Sequence, residues 1–303
     1  MRMAIASIFM AASLSAQSGG FGAPQLAVIY RAGTGTLHPV GGVAAANRTG
    51  RAIGGVPKLE QAVVAHDGGF ALGVSDQGKV VLARLSNGRA QEVGEISGVD
   101  SPHGIVLSPR SQSAAIRNGS TITVLANLRG DVGRRTVALE VAPTLLAIDD
   151  TGDWIAFDAA DRGIATVRNT QTGASVEVPL SGITALQFVA GSEDLLTADG
   201  SRYYVVRSGV PTILSSASDG AQPTAAASGA DARFYFLADN AGHIQRVDAH
   251  DLSTSTFDCG CSPDRLRPAN GPARFQIGKI DSRLVYLEWG DSPSLFSITE
   301  VEQ

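Results

Sequence analysis

Short apolar runs alternate with polar, glycine-containing turns along most of this chain. The stretch LLAIDDTGDWIAF (145–157) places an apolar run, an acidic turn and a second apolar run in close succession. Runs of this length, separated by turns, predict short β-strands joined as hairpins. No amphipathic segment between them is long enough for a crossover helix, so the pattern predicts an antiparallel, all-β fold.

The hairpin pattern repeats at a nearly constant interval. It recurs as AVVAHDGGFALGV, GIVLSPRSQSAAI, LLAIDDTGDWIAF, ALQFVAGSEDLLTA, AAASGADARFYFL and RLRPANGPARFQI. The first strands of these hairpins end at Val64, Leu107, Ile148, Val189, Ala227 and Pro268, at intervals of 43, 41, 41, 38 and 41 residues. A fixed period of this size indicates stacked supersecondary units. Two more strand-like runs follow each hairpin, and four antiparallel strands per repeat predict one blade of a β-propeller.

The number of blades depends on the N-terminal hairpin. LAVIYRAGTGTLHPVGG (26–42) has the form of a further strand–turn–strand unit ahead of the six repeats. We expect it to pair with the C-terminal strands LVYLEWG and LFSITEV, which would close the ring without an exposed sheet edge. This arrangement favours seven blades over six in a single domain spanning 19–303. The glycine-rich segment Gly42–Lys58 is predicted to be a linking loop.

The repeat form resembles that of a known class of proteins. LLAIDDTGDWIAF and GIVLSPRSQSAAI resemble the first hairpin of WD-repeat-like and TolB/YVTN-type bacterial β-propellers, whose blades carry a related Ser-Pro-Asp-Gly turn. The resemblance covers about Lys58 to Val301, but the Trp-Asp and Gly-His signatures and the YVTN tetrapeptide do not occur. It implies the propeller fold and no particular activity, because propellers support many unrelated functions.

The first residues of the chain differ from the repeats. Arg2 precedes the apolar run AIASIFMAA (4–12), and small residues follow at Ser13, Ser15, Ala16 and Ser18. This order is typical of a secretory signal peptide, here predicted for residues 1–18. A buried N-terminal helix or strand is the less favoured interpretation. The mature protein is therefore expected to be secreted or periplasmic.

Composition narrows the classes of partner. The 303 residues carry a formal net charge of −5, with 44% apolar and only 17% charged residues. A basic run of the kind that binds nucleic acid is absent from the sequence, so nucleic acid is not an expected partner. No run after the N-terminal segment approaches the roughly 18 apolar residues of a membrane-spanning helix. We expect a soluble monomer.

Cys259 and Cys261 form the only cysteine pair, with one glycine between them. In an oxidising compartment a structural disulfide or inert thiols are the favoured interpretation. Two thiolates could instead bind a soft metal, with His243 or His250 of the same repeat as further ligands. Redox activity is the third alternative. The Cys-x-x-Cys spacing typical of zinc or c-type haem sites does not occur.

Other chemically active residues lie near the first strands. His66 and His103 flank such strands and are weak metal or acid–base candidates, with a role in turns or caps as the favoured interpretation. Asp149, Asp150 and Asp153 gather three carboxylates in one turn, where calcium binding is the alternative to a structural turn.

Two functional hypotheses follow from the sequence. The favoured one is a non-catalytic exported scaffold or binding module that presents polar loops to a protein or cell-envelope ligand. The alternative is a small-molecule enzyme, of lyase, lactonase or quinoprotein type, with its site in the central channel. A cluster of His66, His103, Asp67 and Asp149 on one rim of the channel would favour the enzyme. The sequence predicts no cofactor.

Overall fold

All of the described secondary structure is β-strand. The computed structural model describes residues 25–43, 46–100, 102–159, 164–271, 273–280 and 283–299. Within these ranges the chain forms 27 strands and no helix. They form seven antiparallel sheets arranged as the blades of a ring. In each sheet, consecutive strands are neighbours.

The strands are numbered in chain order and grouped by blade. Blade 1 contains β1 (Gln25–Arg31), β2 (Thr36–Val43) and β3 (Ala46–Thr49). Blade 2 contains β4 (Leu59–Val64), β5 (Phe70–Ser75), β6 (Lys79–Ser86) and β7 (Arg89–Asp100). Blade 3 contains β8 (Gly104–Leu107), β9 (Ala114–Asn118), β10 (Thr121–Ala126) and β11 (Gly133–Ala138). Blade 4 contains β12 (Leu146–Ile148), β13 (Trp154–Ala159), β14 (Ile164–Asn169) and β15 (Ser175–Ser181). Blade 5 contains β16 (Ala185–Phe188), β17 (Leu195–Ala198), β18 (Arg202–Arg207) and β19 (Val210–Ser216). Blade 6 contains β20 (Pro223–Ser228), β21 (Phe234–Asp239), β22 (His243–Asp248) and β23 (Thr254–Asp258). Blade 7 contains β24 (Arg267–Pro268), β25 (Arg274–Ile280), β26 (Arg283–Trp289) and β27 (Pro293–Thr299).

Burial follows the position of each strand within its blade. The first strands contact one another around the ring and line its centre. The second strands lie between two neighbouring blades, and every residue of β5 and β17 is buried. The outermost strands face solvent, and most of β15 is exposed. Apolar runs on the second strands are therefore explained by burial on both faces, as in any sheet covered on both sides.

Side-chain packing between adjacent blades closes the ring. Within the described residues there are seven hydrophobic clusters, one for each pair of neighbouring blades. The cluster that joins the two ends of the chain combines Leu26 and Val40 of blade 1 with Leu284 and Ile298 of blade 7. Each blade thus buries its faces only when both neighbours are present, as the repeat pattern implies.

The sequence-based prediction of a seven-bladed propeller is confirmed. Closure involves the N- and C-terminal strands, but these belong to separate sheets that pack against each other and do not share strand pairing. The amide of Asn47 donates a hydrogen bond of 3.2 Å to the carbonyl of Ser297 across this junction.

One local prediction is wrong in part. The segment Gly42–Lys58 contains β3 and is not a continuous loop. Its small and polar residues pair with the end of β2 through backbone hydrogen bonds, which do not require apolar side chains.

The proposed signal peptide lies outside the described residues. No helix in the described part of the chain has the length and apolar character needed to cross a bilayer.

Candidate functional site

A cavity lies in the central channel. Its volume is about 270 Å³, and its wall is formed mainly by the first strands of blades 2 to 7. A second cavity of about 240 Å³ lies where blades 7, 1 and 2 meet. Five residues border both cavities: Val64, His66, Arg265, Arg267 and Pro268. The two cavities therefore share one wall.

A shared hydrogen bond aligns the first strands of blades 2 to 7. In each blade the first turn begins with a backbone N–H that donates to the carbonyl five residues later, as from Ala65 to Phe70. The residues that lie two positions before these donors are equivalent in the six blades. They are Val63, Val106, Ala147, Gln187, Ala227 and Arg267. Four of these are apolar, so Gln187 and Arg267 are the polar exceptions at one level of the ring.

The side chain of Arg267 is partly buried at the wall of both cavities. Burial lowers the pKa of its guanidinium, Arg265 lowers it further, and Tyr286 and Asp264 act in the opposite direction. Within the described residues, no hydrogen bond or ion pair reaches this guanidinium. The carboxylate of Asp264 accepts two bonds from Arg265 instead, at 2.8 and 2.6 Å. Arg267 is therefore a partly buried cation that faces the cavities.

Gln187 is the second unusual polar group in the wall of the larger cavity. Its Oε1 atom is buried and has no hydrogen-bond partner among the described residues. A buried amide without a partner is destabilising by roughly 1–3 kcal/mol, so such groups in native proteins need an explanation.

The two ends of the channel differ. At the turn end, where the first strands run into their hairpin turns, polar groups join successive blades. The buried carboxylate of Asp150 accepts the N–H of Arg110 from blade 3 and the N–H of Gly191 from blade 5, both at 2.7 Å. The Nε of Arg110 donates at 3.2 Å to the carbonyl of Ala230 in blade 6, so this side chain crosses the turn end between non-adjacent blades. The entry end, where the chain runs into the first strands, includes Asp264 and Arg265.

Gly191 permits this crossing. A Cβ atom at this position would lie 2.5 Å from Nη1 of Arg110, and the φ angle of Gly191 is +68°. The backbone conformation therefore favours glycine, and a larger side chain would displace the end of the Arg110 side chain.

His66 borders both cavities at the turn end. Its Nδ1 lies 3.3 Å from Oγ of Ser111, which also accepts the backbone N–H of His66 at 3.1 Å. Burial is the largest influence and lowers the pKa of His66; Asp67 and Asp150 raise it, and Arg129 and Arg110 lower it. The net shift favours the neutral imidazole in the folded protein.

The lowered pKa of His66 predicts a pH effect on stability. An unfolded histidine titrates near pH 6.5, so the unfolded chain binds its proton first as the pH falls. The contribution of His66 is therefore fully present above about pH 6.5 and decreases as the pH falls toward the lower folded-state pKa. Urea unfolding measures how far the free energy of unfolding falls between pH 7.5 and pH 5.0. This fall should be smaller in His66→Gln than in the parent protein. The exposed His250 supplies a control: His250→Gln should retain the parental loss, and equal losses in the parent and His66→Gln would contradict the assignment.

The structure separates the two histidines that the sequence singled out. His66 follows a first strand and lies at the turn end, whereas His103 precedes a first strand. His103 is exposed, and its Nδ1 accepts the N–H of Gly119 at 3.1 Å. The cluster of His66, His103, Asp67 and Asp149 on one rim is therefore not formed. Asp67 instead pairs with Arg129 at 2.7 Å.

The acidic turn of blade 4 has structural roles. Asp149 accepts the N–H of Trp154 at 2.9 Å and that of Thr151 at 3.3 Å, within its own turn. Burial raises the pKa of Asp149, partly offset by these bonds. Asp150 joins three blades, and Asp153 pairs with Arg135 at 3.0 Å. Within the described residues, no group of three or more His, Cys, Asp or Glu side chains is arranged to hold a metal ion.

Cys259 and Cys261 are joined by a disulfide, with their Cα atoms 5.1 Å apart. In this form neither sulfur is a thiolate, the form that binds metals. The N–H of Cys259 donates at 2.9 Å to the carbonyl of Gly242, which fixes the pair against the turn between β21 and β22. His243 and His250 lie at opposite ends of β22, and Nδ1 of His243 is 2.8 Å from Oγ of Ser218.

Comparisons with known proteins support the fold alone. The chain matches no family model and no curated protein. It is similar to the crystal structure of a functionally unknown protein from Desulfotomaculum acetoxidans DSM 771, with a TM-score of 0.61 and 13% sequence identity. The match covers 87% of this chain and 92% of that chain. At this identity the likeness shows a shared architecture and carries no function across.

Proposed function

We propose that this protein is an exported, non-catalytic β-propeller that binds a small molecule in its central channel. The observation that carries the proposal is the cavity of about 270 Å³ walled by the first strands of six blades. Concave, mostly apolar cavities with a few polar groups are the usual form of a small-molecule site. Because Arg110 crosses the turn end, the entry end is the expected route for the ligand.

The polar groups around the channel support binding without catalysis. Asp150 is occupied by two backbone N–H groups, and Asp264 by Arg265. Thr224 donates its hydroxyl to the carbonyl of Ala238 at 3.0 Å, and Thr184 donates its hydroxyl to that of Asp199 at 3.2 Å. A general acid or base must reach the substrate, whereas these groups are engaged within the protein.

Export is the second part of the proposal. The apolar N-terminal segment has the order of a signal peptide, and the Cys259–Cys261 disulfide suits an oxidising compartment. Together they support a secreted or periplasmic protein. A protein or cell-envelope partner at the polar loops stays a prediction of the sequence.

One observation favours the alternative of a channel enzyme. His66 borders both cavities and has a lowered pKa, so a neutral imidazole would be present at pH 7 to accept a proton. Under this alternative, His66→Gln would abolish turnover of a bound compound. Under the favoured proposal, bound compounds are recovered unchanged from both the parent protein and this variant.

The channel proposal is tested by filling the cavity. Leu146 is partly exposed in its wall, so Leu146→Trp, or the milder Leu146→Phe, should occupy the space. Ligand-observed NMR would use a fragment library of neutral, cationic and anionic compounds with the purified mature protein. We expect binding that is lost in the folded Leu146 variants and retained in Val210→Trp, whose parent side chain is 64% exposed on an outer strand. Binding that persists in the filled variants, or no binding from any compound class, would contradict the proposal.

A further inference from the structure

We propose that the channel ligand is a small organic anion whose oxyanion group binds the guanidinium of Arg267. Its apolar body would lie against the first strands. The inference rests on the proposed function, since it names the chemical class of ligand for the same cavity. It names the residue that anchors the ligand, the charge of the ligand, and the parts of the ligand that are polar and apolar.

The guanidinium of Arg267 would be stabilised by an acceptor. An arginine side chain stays protonated in proteins and carries five N–H donors. Partial burial takes some of the hydration from this charge, so a countercharge or hydrogen-bond acceptors that reach it are stabilising. Asp264 is the nearby carboxylate of the cavity wall, and Arg265 occupies both of its oxygens. None of the described residues therefore accepts a hydrogen bond from Arg267, whose donors are available to an acceptor that enters the channel.

The position of Arg267 in the ring also supports a role in binding. Arg267 and Gln187 interrupt a level of the ring at which the other aligned first strands carry Val or Ala. Both line the larger cavity, and the Oε1 atom of Gln187 has no partner among the described residues. A planar carboxylate or a phosphate matches the guanidinium fork in a bidentate manner. The Oε1 atom of Gln187 only accepts hydrogen bonds, so it would contact a donor on the body of the ligand and not the oxyanion.

The apolar surface of the cavity wall indicates the nature of the rest of the ligand. Val106, Leu146, Leu186 and Pro268 contribute apolar surface to the same wall. A free inorganic anion would leave this surface against water, whereas a ligand with an apolar body would cover it and be stabilised by the hydrophobic effect. The class that fits is therefore a carboxylate or phosphate ester joined to a compact hydrocarbon or aromatic body.

Isothermal titration calorimetry tests this class with benzoate, phenyl phosphate, benzamide and inorganic phosphate, in a buffer low in competing chloride. We expect benzoate or phenyl phosphate to bind, and the two results distinguish a carboxylate from a phosphate ligand. Benzamide has the shape of benzoate without the charge and should bind at least about tenfold more weakly, as should inorganic phosphate, which lacks an apolar body. Equal binding of benzoate and benzamide would overturn the anion inference while leaving the channel proposal intact.

The anchor is tested with Arg267→Met and Arg267→Lys. The methionine variant should weaken benzoate or phenyl phosphate binding by at least about tenfold, and the lysine variant should restore part of it through charge without the planar fork. Because no described residue makes a hydrogen bond or ion pair with Arg267, Arg267→Met should not lower the Tm. Arg89→Met, at an exposed position of β7, should leave binding unchanged. Unaltered binding in Arg267→Met, or a clear fall in its Tm, would show that Arg267 is structural.

Failure of the two proposals gives different results. If Leu146→Trp abolishes the binding of neutral or cationic fragments while Arg267→Met has no effect, the channel is a binding site but not for anions. If no probe responds to either variant, both proposals are overturned.

Discussion

Replacing Asp150 by alanine is expected to cost roughly 2–4 kcal/mol of the free energy of unfolding. The side chain is buried and accepts backbone N–H groups from the blade on each side, at 2.7 Å in both cases. The alanine variant removes the acceptor of two part-buried hydrogen bonds, from the N–H groups of Arg110 and Gly191. Both bonds are to a carboxylate, which makes them stronger than neutral ones. Urea unfolding of the purified mature protein at pH 7.5 measures the loss.

Two variants of the same turn provide the controls. Asp150→Asn keeps one carbonyl acceptor and should lose about half as much, because its NH₂ group cannot accept the second N–H. Asp153 pairs with Arg135 on the partly exposed side of the turn, so Asp153→Ala should lose less than about 1 kcal/mol. Equal losses in Asp150→Ala and Asp153→Ala would contradict the role of Asp150 in joining three blades.

Phe236→Ala is expected to cost about 3–5 kcal/mol, the largest effect we predict for a single side chain. Phe236 is fully buried on a second strand, between blades 6 and 7. Its ring centroid lies 4.4 Å from that of Phe275 and 5.7 Å from that of Trp289, both in the neighbouring blade. Truncation therefore removes contacts between blades and leaves a cavity that the rigid sheets cannot close. Thermal and urea unfolding both report the change.

The same cluster contains its own control. Phe257 contacts Trp289 from the edge and is only partly buried, so Phe257→Ala should cost clearly less than Phe236→Ala. Phe236→Leu keeps most of the side-chain volume, so its loss in the free energy of unfolding should lie between those of Phe257→Ala and Phe236→Ala. A loss near zero for Phe236→Ala would contradict the view that blades are stable only against their neighbours.

Much of the fold could be predicted from the sequence because repetition makes a weak local signal strong. Asn87-Gly88, for example, forms a hairpin turn with positive φ angles at both residues, the conformation that an Asn-Gly pair favours. The structure also has such a turn at Ser208-Gly209, which the sequence analysis did not single out because serine is a weaker signal than asparagine. β3 was missed for a related reason: the sequence ANRT has no apolar alternation and is held by its pairing with β2.

The candidate site was less predictable because its contacts join residues far apart in the chain. The partners of Asp150 lie 40 and 41 residues away, and nothing in the DDTGD turn indicates them. Arg267 did leave a signal: in the repeat alignment it stands where the other repeats have Val63, Val106, Ala147, Phe188 and Ala226. Gln187 was hidden because the last residue of its first strand is Phe188, one residue earlier than the alignment assumed. The register that reveals it comes from backbone hydrogen bonds.

The most direct test of the account is a crystal structure of the mature protein grown with 4-bromobenzoate and measured at the bromine absorption edge. We predict an anomalous bromine peak inside the ring beside the apolar first strands, with the carboxylate in bidentate contact with Arg267. A ring whose channel holds only water at Arg267, with no bromine peak within it, would contradict the claim that this channel is an anion-binding site.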